Sequence, residues 1–309
     1  MQKKIKVLLI TPPYHSGVVE SAGRWPHLGF IYIAGELEQK GFEVEIYDAM
    51  SKFHDYKQIR EYILLKEPDF IGVSAFTASI NAALNVLKIA REEFPGITTF
   101  IGGIHPTFCF KQILEENHDS VDFCIIGEGE ITTPLLLELL RENKDISKIE
   151  GIAFRINGKI FQTPARKFID DLDSLHPAWH LVDWRDYPLY FLDNSKVAIV
   201  SSSRGCVHSC NFCSQHKFWQ GTYRERRPDK FVSEIEYLAS QYGINVFFIA
   251  DEYPTYSRKR WEKILNILVK KKLGVHILME TVAQDILRDQ DILHLYRNCL
   301  LYTSPSPRD

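Results

Sequence analysis

The stretch Lys196-Val-Ala-Ile-Val-Ser-Ser-Ser-Arg-Gly-Cys206-Val-His-Ser-Cys210-Asn-Phe-Cys213 decides how the second half of this chain is read. Lys196 to Val200 is apolar enough for a strand, and it feeds directly into three cysteines spaced C-x3-C-x2-C. Three of the six cysteines lie here; Cys109, Cys124 and Cys299 are scattered. Soft thiolates at this spacing suit zinc or an iron–sulfur cluster. A structural zinc needs a fourth ligand, for which His208 and His216 are nearby. Three cysteines alone suit a [4Fe-4S] cluster with one iron open to an exchangeable ligand. Arg204-Gly205, just before the first cysteine, suits a tight loop around an anionic cluster.

The composition supports an intracellular reading of that motif. A length of 309 residues is a prior for about two domains. With 45% hydrophobic and 25% charged residues, the chain is ordinary for a soluble globular protein. A net charge of -3 gives no basic field to recruit nucleic acid. Arg224-Glu-Arg-Arg227 is short and mixed in sign, so it reads as a solvated or anion-contacting loop. No apolar run reaches the ~20 residues of a membrane span. The N-terminal apolar run ends in Thr11-Pro12-Pro13 instead of a cleavage site, which fits a first strand better than a signal peptide. A cytoplasmic location with reduced thiols is therefore expected. There, a tight cysteine group reads as a metal or redox site.

The first half alternates strand and helix. Ile5 to Ile10, Phe70 to Ala75, Thr98 to Ile101 and Phe123 to Ile126 are continuous apolar runs, as in strands buried on both faces. Phe42 to Tyr47 alternates and belongs nearer a sheet edge. Helices are expected at Leu28 to Gln39, Asp55 to Lys66, Ser79 to Phe94, Phe110 to Glu116 and Thr133 to Glu142. This pattern predicts an α/β fold with a doubly wound five-stranded parallel sheet. Ligands of such sheets bind beyond the carboxyl ends of the strands. Those ends are Thr11 to Gly17, Ser74 to Thr77, Gly102 to Thr107 and Gly127 to Glu130. None is a dinucleotide fingerprint or a phosphate loop, and each glycine also has a plain reading as a tight turn. Asn157-Gly158 marks a hairpin over 151 to 162. The stretch 163 to 195, rich in Pro, Asp and aromatics, reads as an ordered linker.

A resemblance emerges from these residues. With Phe212 before the last cysteine and a strand before the first, the motif resembles the radical S-adenosylmethionine (SAM) enzymes. The preceding domain, through Gly102-Gly-Ile-His-Pro-Thr107 and Ile126-Gly-Glu-Gly-Glu130, resembles the cobalamin-binding domain fused ahead of many of them. Tyr14-His-Ser-Gly17, Ala22-Gly-Arg-Trp-Pro26, Cys213-Ser-Gln-His-Lys-Phe-Trp219 and Phe248-Ile-Ala-Asp-Glu-Tyr-Pro-Thr255 are similar to the anaerobic magnesium-protoporphyrin IX monomethyl ester oxidative cyclases. The resemblance runs to about residue 298.

The resemblance implies that Cys206, Cys210 and Cys213 hold three irons, and that the amino and carboxylate groups of SAM chelate the fourth. It places Phe212 beside the adenine. Asp251 or Glu252 would accept a hydrogen bond from the SAM amino group, although Ala250-Asp251-Glu252 stands where the superfamily often has Gly-Gly-Glu. One electron would cleave SAM to a 5′-deoxyadenosyl radical, which takes hydrogen from an unactivated carbon. In the cyclases that carbon belongs to the propionate methyl ester side chain, and water supplies the oxygen. Cobalamin is the third implied cofactor. His15 lies where a D-x-H-x-x-G loop would put its axial ligand, but Pro13 replaces the Asp and Val18 the Gly. His105 is a second candidate by position, and either histidine is otherwise an ordinary hydrogen-bonded loop residue. Ser74, Thr77, Gly102, Gly103, Gly127 and Gly129 would touch cobalamin mostly through backbone.

The implied partners are a small-molecule porphyrin substrate and an electron donor such as flavodoxin or ferredoxin, with no nucleic acid. Two other functions fit the residues: a cobalamin-dependent radical SAM methyltransferase, and a zinc-stabilised corrinoid-binding module without catalysis. The expected division is a cobalamin domain over 1–145, a hairpin and linker over 146–195, and the N-terminal half of a radical SAM barrel over 196–298. Barrel strands are expected near 197–200, 246–250 and 276–279, and helices near 229–241, 257–271 and 289–297. Residues 299–309 are expected to be an artefactual tail; Leu300 to Asp309 has two prolines, no apolar periodicity and no expected native fold. With half a barrel, the chain alone is expected to bind cobalamin weakly, hold a labile cluster and not turn over.

Overall fold

The computed structural model describes residues 4–15, 23–299 and 301–303, the last three as backbone only. The first half runs β1 (Lys6–Thr11), α1 (Leu28–Gln39), β2 (Glu43–Asp48), α2 (Tyr56–Lys66), β3 (Phe70–Ser74), α3 (Ile80–Glu93), β4 (Thr98–Gly102), α4 (Ile104–Glu116), β5 (Phe123–Ile125), α5 (Gly129–Arg141), β6 (Ile152–Ile156) and β7 (Lys159–Gln162). The sheet order is β2-β1-β3-β4-β5-β6-β7. The first five strands are parallel. Winding reverses between β1 and β3, which is where such folds open a crevice for ligands.

Strand β1 shows why the sheet is covered on both faces. Leu8 and Ile10 join an apolar cluster with Ile59, Ile63, Ala83, Val86, Leu87, Ile113 and Leu114 from α2, α3 and α4. Val7 and Leu9 join another with Phe30, Ala34, Leu37, Leu136 and Leu137 from α1 and α5. Alternate residues thus feed opposite layers, and an unbroken apolar run is what that requires.

Three local features differ from the sequence pattern. Strand β6 pairs antiparallel with β5, and β7 with β6, so the hairpin extends the sheet to seven strands instead of standing in the linker. Ile152, Ala153 and Phe154 are buried there, and β5 would otherwise present an unpaired apolar edge. Helices α4 and α5 begin directly after the strand-end turns, earlier than their apolar periodicity indicates. In α4, Gly103 at φ +103° turns the chain in one residue, and Pro106 falls in the first turn, where no N–H is needed.

The second half contains β8 (Val197–Val200), β9 (Ser203–Arg204), α6 (Gln215–Trp219), β10 (Arg224–Glu225), α7 (Pro228–Tyr242), β11 (Val246–Ile249), α8 (Arg258–Lys271), β12 (His276–Met279), α9 (Ala283–Arg288), α10 (Leu293–Asn298) and β13 (Leu301–Thr303). A parallel sheet is ordered β13-β12-β11-β8, and its strands alternate with α7 and α8 on the pattern of a β/α barrel. Phe231, Phe247 and Trp261 are fully buried in its core. The helix expected over 289–297 is α10, entered through a 3-10 turn over Gln290–Ile292, and α9 is an additional helix before it; between them lies the fully buried Asp289, whose carboxylate receives the Tyr296 hydroxyl and the Arg288 guanidinium. Leu301–Thr303 corrects the expectation that nothing folds beyond Leu300: it pairs parallel with β12, whose edge is open and matches strand-forming residues. Residues 304–309 lie outside the described residues.

Two compact units result: Met1–Ser16 with His27–Ile169 and Leu175–Val182, and Gly17–Pro26 with Asp170–Ser174 and Asp183–Asp309. Among the described residues no helix is long and apolar enough to cross a membrane.

Candidate functional sites

In the first unit the loops after β3, β4 and β5 are hydrogen-bonded into one surface. The Ala75 N–H donates to the Gly102 carbonyl at 2.9 Å, and the His105 N–H donates to the Ala75 carbonyl at 3.2 Å. A Cβ at Gly103 would stand 2.6 Å from the Ala75 oxygen and 3.0 Å from Ser74 Oγ, so only glycine lets these loops approach. Thr107 Oγ1 donates to the Gly103 carbonyl at 2.8 Å and accepts the Gly127 N–H at 3.0 Å, which joins the loops after β4 and β5. Thr77 Oγ1 lies 3.1 Å from His105 Nδ1. Burial pushes the His105 imidazole below its ordinary range. Ser74, Thr77, Gly102, Gly103, His105 and Gly127 are therefore gathered as the sequence implied. Gly129 begins α5, close against Ile33. Thr107 was not singled out; its position four residues after a strand-end glycine, in the first turn of α4, was the available signal.

His15 lies elsewhere on this surface. It is exposed, with its ring stacked on Phe53 at 4.9 Å and 10°. Val18, which replaces the expected glycine, lies outside the described residues. Tyr14 packs edge-on to Phe76 at 5.5 Å. Phe53, Phe76 and Phe108 are about half exposed. Thr11, at the carboxyl end of β1, is 6% exposed, and its hydroxyl has no partner among the described residues. A glycine floor, an exposed aromatic rim and an orphaned hydroxyl fit a large flat ligand with apolar faces and a polar edge, such as a corrin.

In the second unit the three cysteines lie on one loop between β9 and α6, as free thiols. Cys206 is half-buried and Cys210 exposed. Burial and the neighbouring Glu252, Cys210 and Cys213 push the Cys206 thiol up, while the His208 backbone N–H opposes that shift. The donor set is three soft sulfurs on one loop, which fits iron–sulfur ligation. Among the described residues no three His, Cys, Asp or Glu side chains converge into a formed metal site. His208 leans on Tyr253 at 4.9 Å between ring centres. His216 sits in α6 with a buried Nδ1.

The loop is held at both feet from the end of β11. Asp251, 5% exposed, accepts the Ser202 N–H at 2.7 Å and the Ser202 and Ser203 hydroxyls at 2.6 Å each. Glu252 accepts the Gly205 N–H at 3.1 Å and the Trp219 indole N–H at 2.7 Å. Each oxygen of the two carboxylates thus already has a protein donor. Burial pushes the Glu252 carboxyl up, while the Trp219 and Gly205 donors oppose that shift. Gly205 has φ +97°, and a Cβ there would stand 2.2 Å from the Thr222 carbonyl oxygen. Arg260, 6% exposed, donates to the carbonyls of Arg226, at 2.9 Å, and Ser202. Phe212 is 67% exposed at the tip of the loop. The sequence pointed to the cysteines, Phe212, Asp251 and Glu252, but not to Ser202, Ser203, Trp219 or Arg260 as their supports.

Residues 14–137 match the B12 binding domain family, and residues 200–301 match the radical SAM superfamily. The chain is 41% identical over 298 residues to the anaerobic magnesium-protoporphyrin IX monomethyl ester cyclase of Rubrivivax gelatinosus, covering 95% of this chain and 53% of that protein. It is 34% identical over 299 residues to the cyclase of the same name from Cereibacter sphaeroides, covering 95% and 48%. The chain therefore spans about half the length of these curated relatives. Among solved structures, the cobalamin-dependent SAM radical enzyme OxsB, with aqua-cobalamin and SAM bound, aligns with a TM-score of 0.76. It covers 98% of this chain and 44% of OxsB at 18% identity, which speaks to the fold alone. The two matched families, in the order the strand-end glycines and the cysteine loop implied, show that this chain carries a B12 binding domain followed by a radical SAM domain.

Proposed function

We propose that this protein serves the oxidative cyclisation of magnesium-protoporphyrin IX monomethyl ester in (bacterio)chlorophyll biosynthesis. The observation that carries this reading is the 41% identity to a named cyclase across 95% of the chain, both units included. Cys206, Cys210 and Cys213 would hold a [4Fe-4S] cluster, and the exposed Phe212 ring would lie against the adenine of SAM. When bound, the cluster supplies the electron that cleaves SAM and so begins hydrogen abstraction from carbon. Gly205, at φ +97° and against the Thr222 carbonyl, would set the turn into the cysteine loop. Ser74, Thr77, Gly102, Gly103, His105, Gly127 and Gly129 would seat cobalamin, with His15 at the rim. Of the two histidines, His105 would be the one to contact the corrin: its Nδ1 lies against Thr77 among the strand-end loops, whereas the His15 ring is stacked on Phe53. The electron would come from an external carrier such as flavodoxin or ferredoxin, in the cytoplasm.

The test is anaerobic incubation of the protein carrying a whole barrel with SAM, cobalamin, a low-potential reductant and the porphyrin ester. Ring-closed product is expected. A methylated porphyrin without ring closure would overturn the cyclase in favour of a methyltransferase. A colourless protein with stoichiometric zinc and no iron or sulfide would overturn both.

A further inference from the structure

Three consecutive residues just after β11 touch five residues in and around the cysteine loop. Asp251 binds Ser202 and Ser203 on the strand entering the loop, and Glu252 binds Gly205 immediately before the first thiol. Through its other oxygen Glu252 binds Trp219, six residues after the last thiol. Tyr253, 7% exposed, lies against His208 between the first and second thiols. The backbone behind Tyr253 is itself fixed. Buried Thr255 donates to Asp285 at 2.5 Å, and Arg288 bonds to Asp285 at 2.9 Å and to the Thr255 carbonyl at 3.0 Å.

We propose that Asp251, Glu252 and Tyr253 are positioning residues that clamp the cysteine loop into a cluster-binding arc. Glu252 is the link between the arm before Cys206 and the arm after Cys213. The proposal rests on the cluster reading of the thiols. It gives the two carboxylates a task besides any contact with the SAM amino group, since every one of their oxygens already accepts a loop or α6 donor. Three thiols on a mobile loop would lose conformational entropy on closing around a cluster, and a clamp removes part of that cost in advance. Groups that orient metal ligands commonly change metal affinity by about tenfold to a hundredfold when lost.

The test compares wild-type protein with Glu252→Ala, Trp219→Phe, the double variant and Tyr253→Leu, all reconstituted anaerobically with iron and sulfide. Trp219→Phe and Tyr253→Phe are the mild variants should Glu252→Ala fail to fold, and far-UV circular dichroism reports folding. The readouts are iron per chain, the rate of cluster loss to a chelator, and the EPR spectrum of the reduced cluster with and without SAM. Glu252→Ala and Tyr253→Leu should lose the cluster about tenfold faster or more, by the general cost of losing a ligand-orienting group. The double variant should lose it no faster than Glu252→Ala, since both changes remove one link. Folded variants with wild-type cluster lifetimes that lose only the SAM-induced EPR change would overturn the clamp and restore the carboxylates to SAM. A wild-type chain that takes up no iron or sulfide would overturn the cluster reading and the clamp with it.

Discussion

The two candidate sites are built by opposite means. The surface at the strand ends of the first unit is assembled from backbone: four loop hydrogen bonds of 2.8–3.2 Å bring Ala75, Gly102, Gly103, His105, Thr107 and Gly127 together. The cysteine loop of the second unit has its functional atoms in place by sequence, yet its thiols do not converge. It is fixed at its feet and through His208, and open at Cys210 and Phe212. A ligand recognised by shape can be met by a finished surface. A cluster held by bonds to sulfur draws its ligands in as it forms, because deprotonation and ordering accompany metal binding.

Replacing any one thiol is the largest way to break this contrast. Cys206→Ala, Cys210→Ala or Cys213→Ala should remove almost all bound iron and sulfide and leave corrin binding unchanged, as measured by metal analysis beside a cobalamin titration. Equal loss at both sites would show that they are not built independently.

Glycine substitutions come next. Gly103→Ala adds a Cβ 2.6 Å from a backbone oxygen at φ +103°. The strain of a left-handed non-glycine and that contact should cost about 2 kcal/mol or more, read as a lower melting temperature with weakened corrin binding. Gly205→Ala, with its Cβ 2.2 Å from the Thr222 oxygen, should instead show its effect in cluster retention.

Thr107→Val is smaller. It removes the hydroxyl shared by the Gly103 carbonyl and the Gly127 N–H and should cost about 1 kcal/mol, seen by denaturant titration. An unchanged stability with unchanged corrin affinity would mean that the loops after β4 and β5 are not zipped through Thr107.

The last effect is one of pH. His27 caps α1, accepting the Phe30 N–H at 3.0 Å, and burial lowers its pKa from 6.5 to about 4. Between those values the unfolded chain binds the extra proton and the folded chain does not, so stability falls as pH drops through that window. His27→Asn keeps a capping oxygen without the titration. It should flatten the pH dependence of the melting temperature between pH 6.5 and 4.

What the sequence carried and what it hid follow from the range of each interaction. The strand runs at Val7–Ile10 and Phe70–Val73 are legible because burial on both faces writes unbroken apolar residues into a local stretch. The cysteine spacing is legible because one loop supplies every ligand. The hairpin's place in the sheet is not local: whether β6 pairs with β5 depends on an edge that exists only after folding. The supports of the cysteine loop are more remote still, since Asp251 reaches Ser202 across 49 residues and Arg260 reaches it across 58. Nothing about a serine triplet announces an aspartate partner on the next strand. The turn of Gly103 sits between these cases. The glycine is visible, but the Ala75 oxygen that demands it belongs to another strand end.

The central claim is that three thiols on a clamped loop hold a cluster with one iron open to SAM. Its most direct measurement is the EPR spectrum of the anaerobically reconstituted, reduced protein before and after SAM is added. The account predicts a half-spin [4Fe-4S] signal that shifts when SAM binds and disappears in Cys210→Ala. A signal indifferent to SAM, or stoichiometric zinc in place of iron and sulfide, would contradict it.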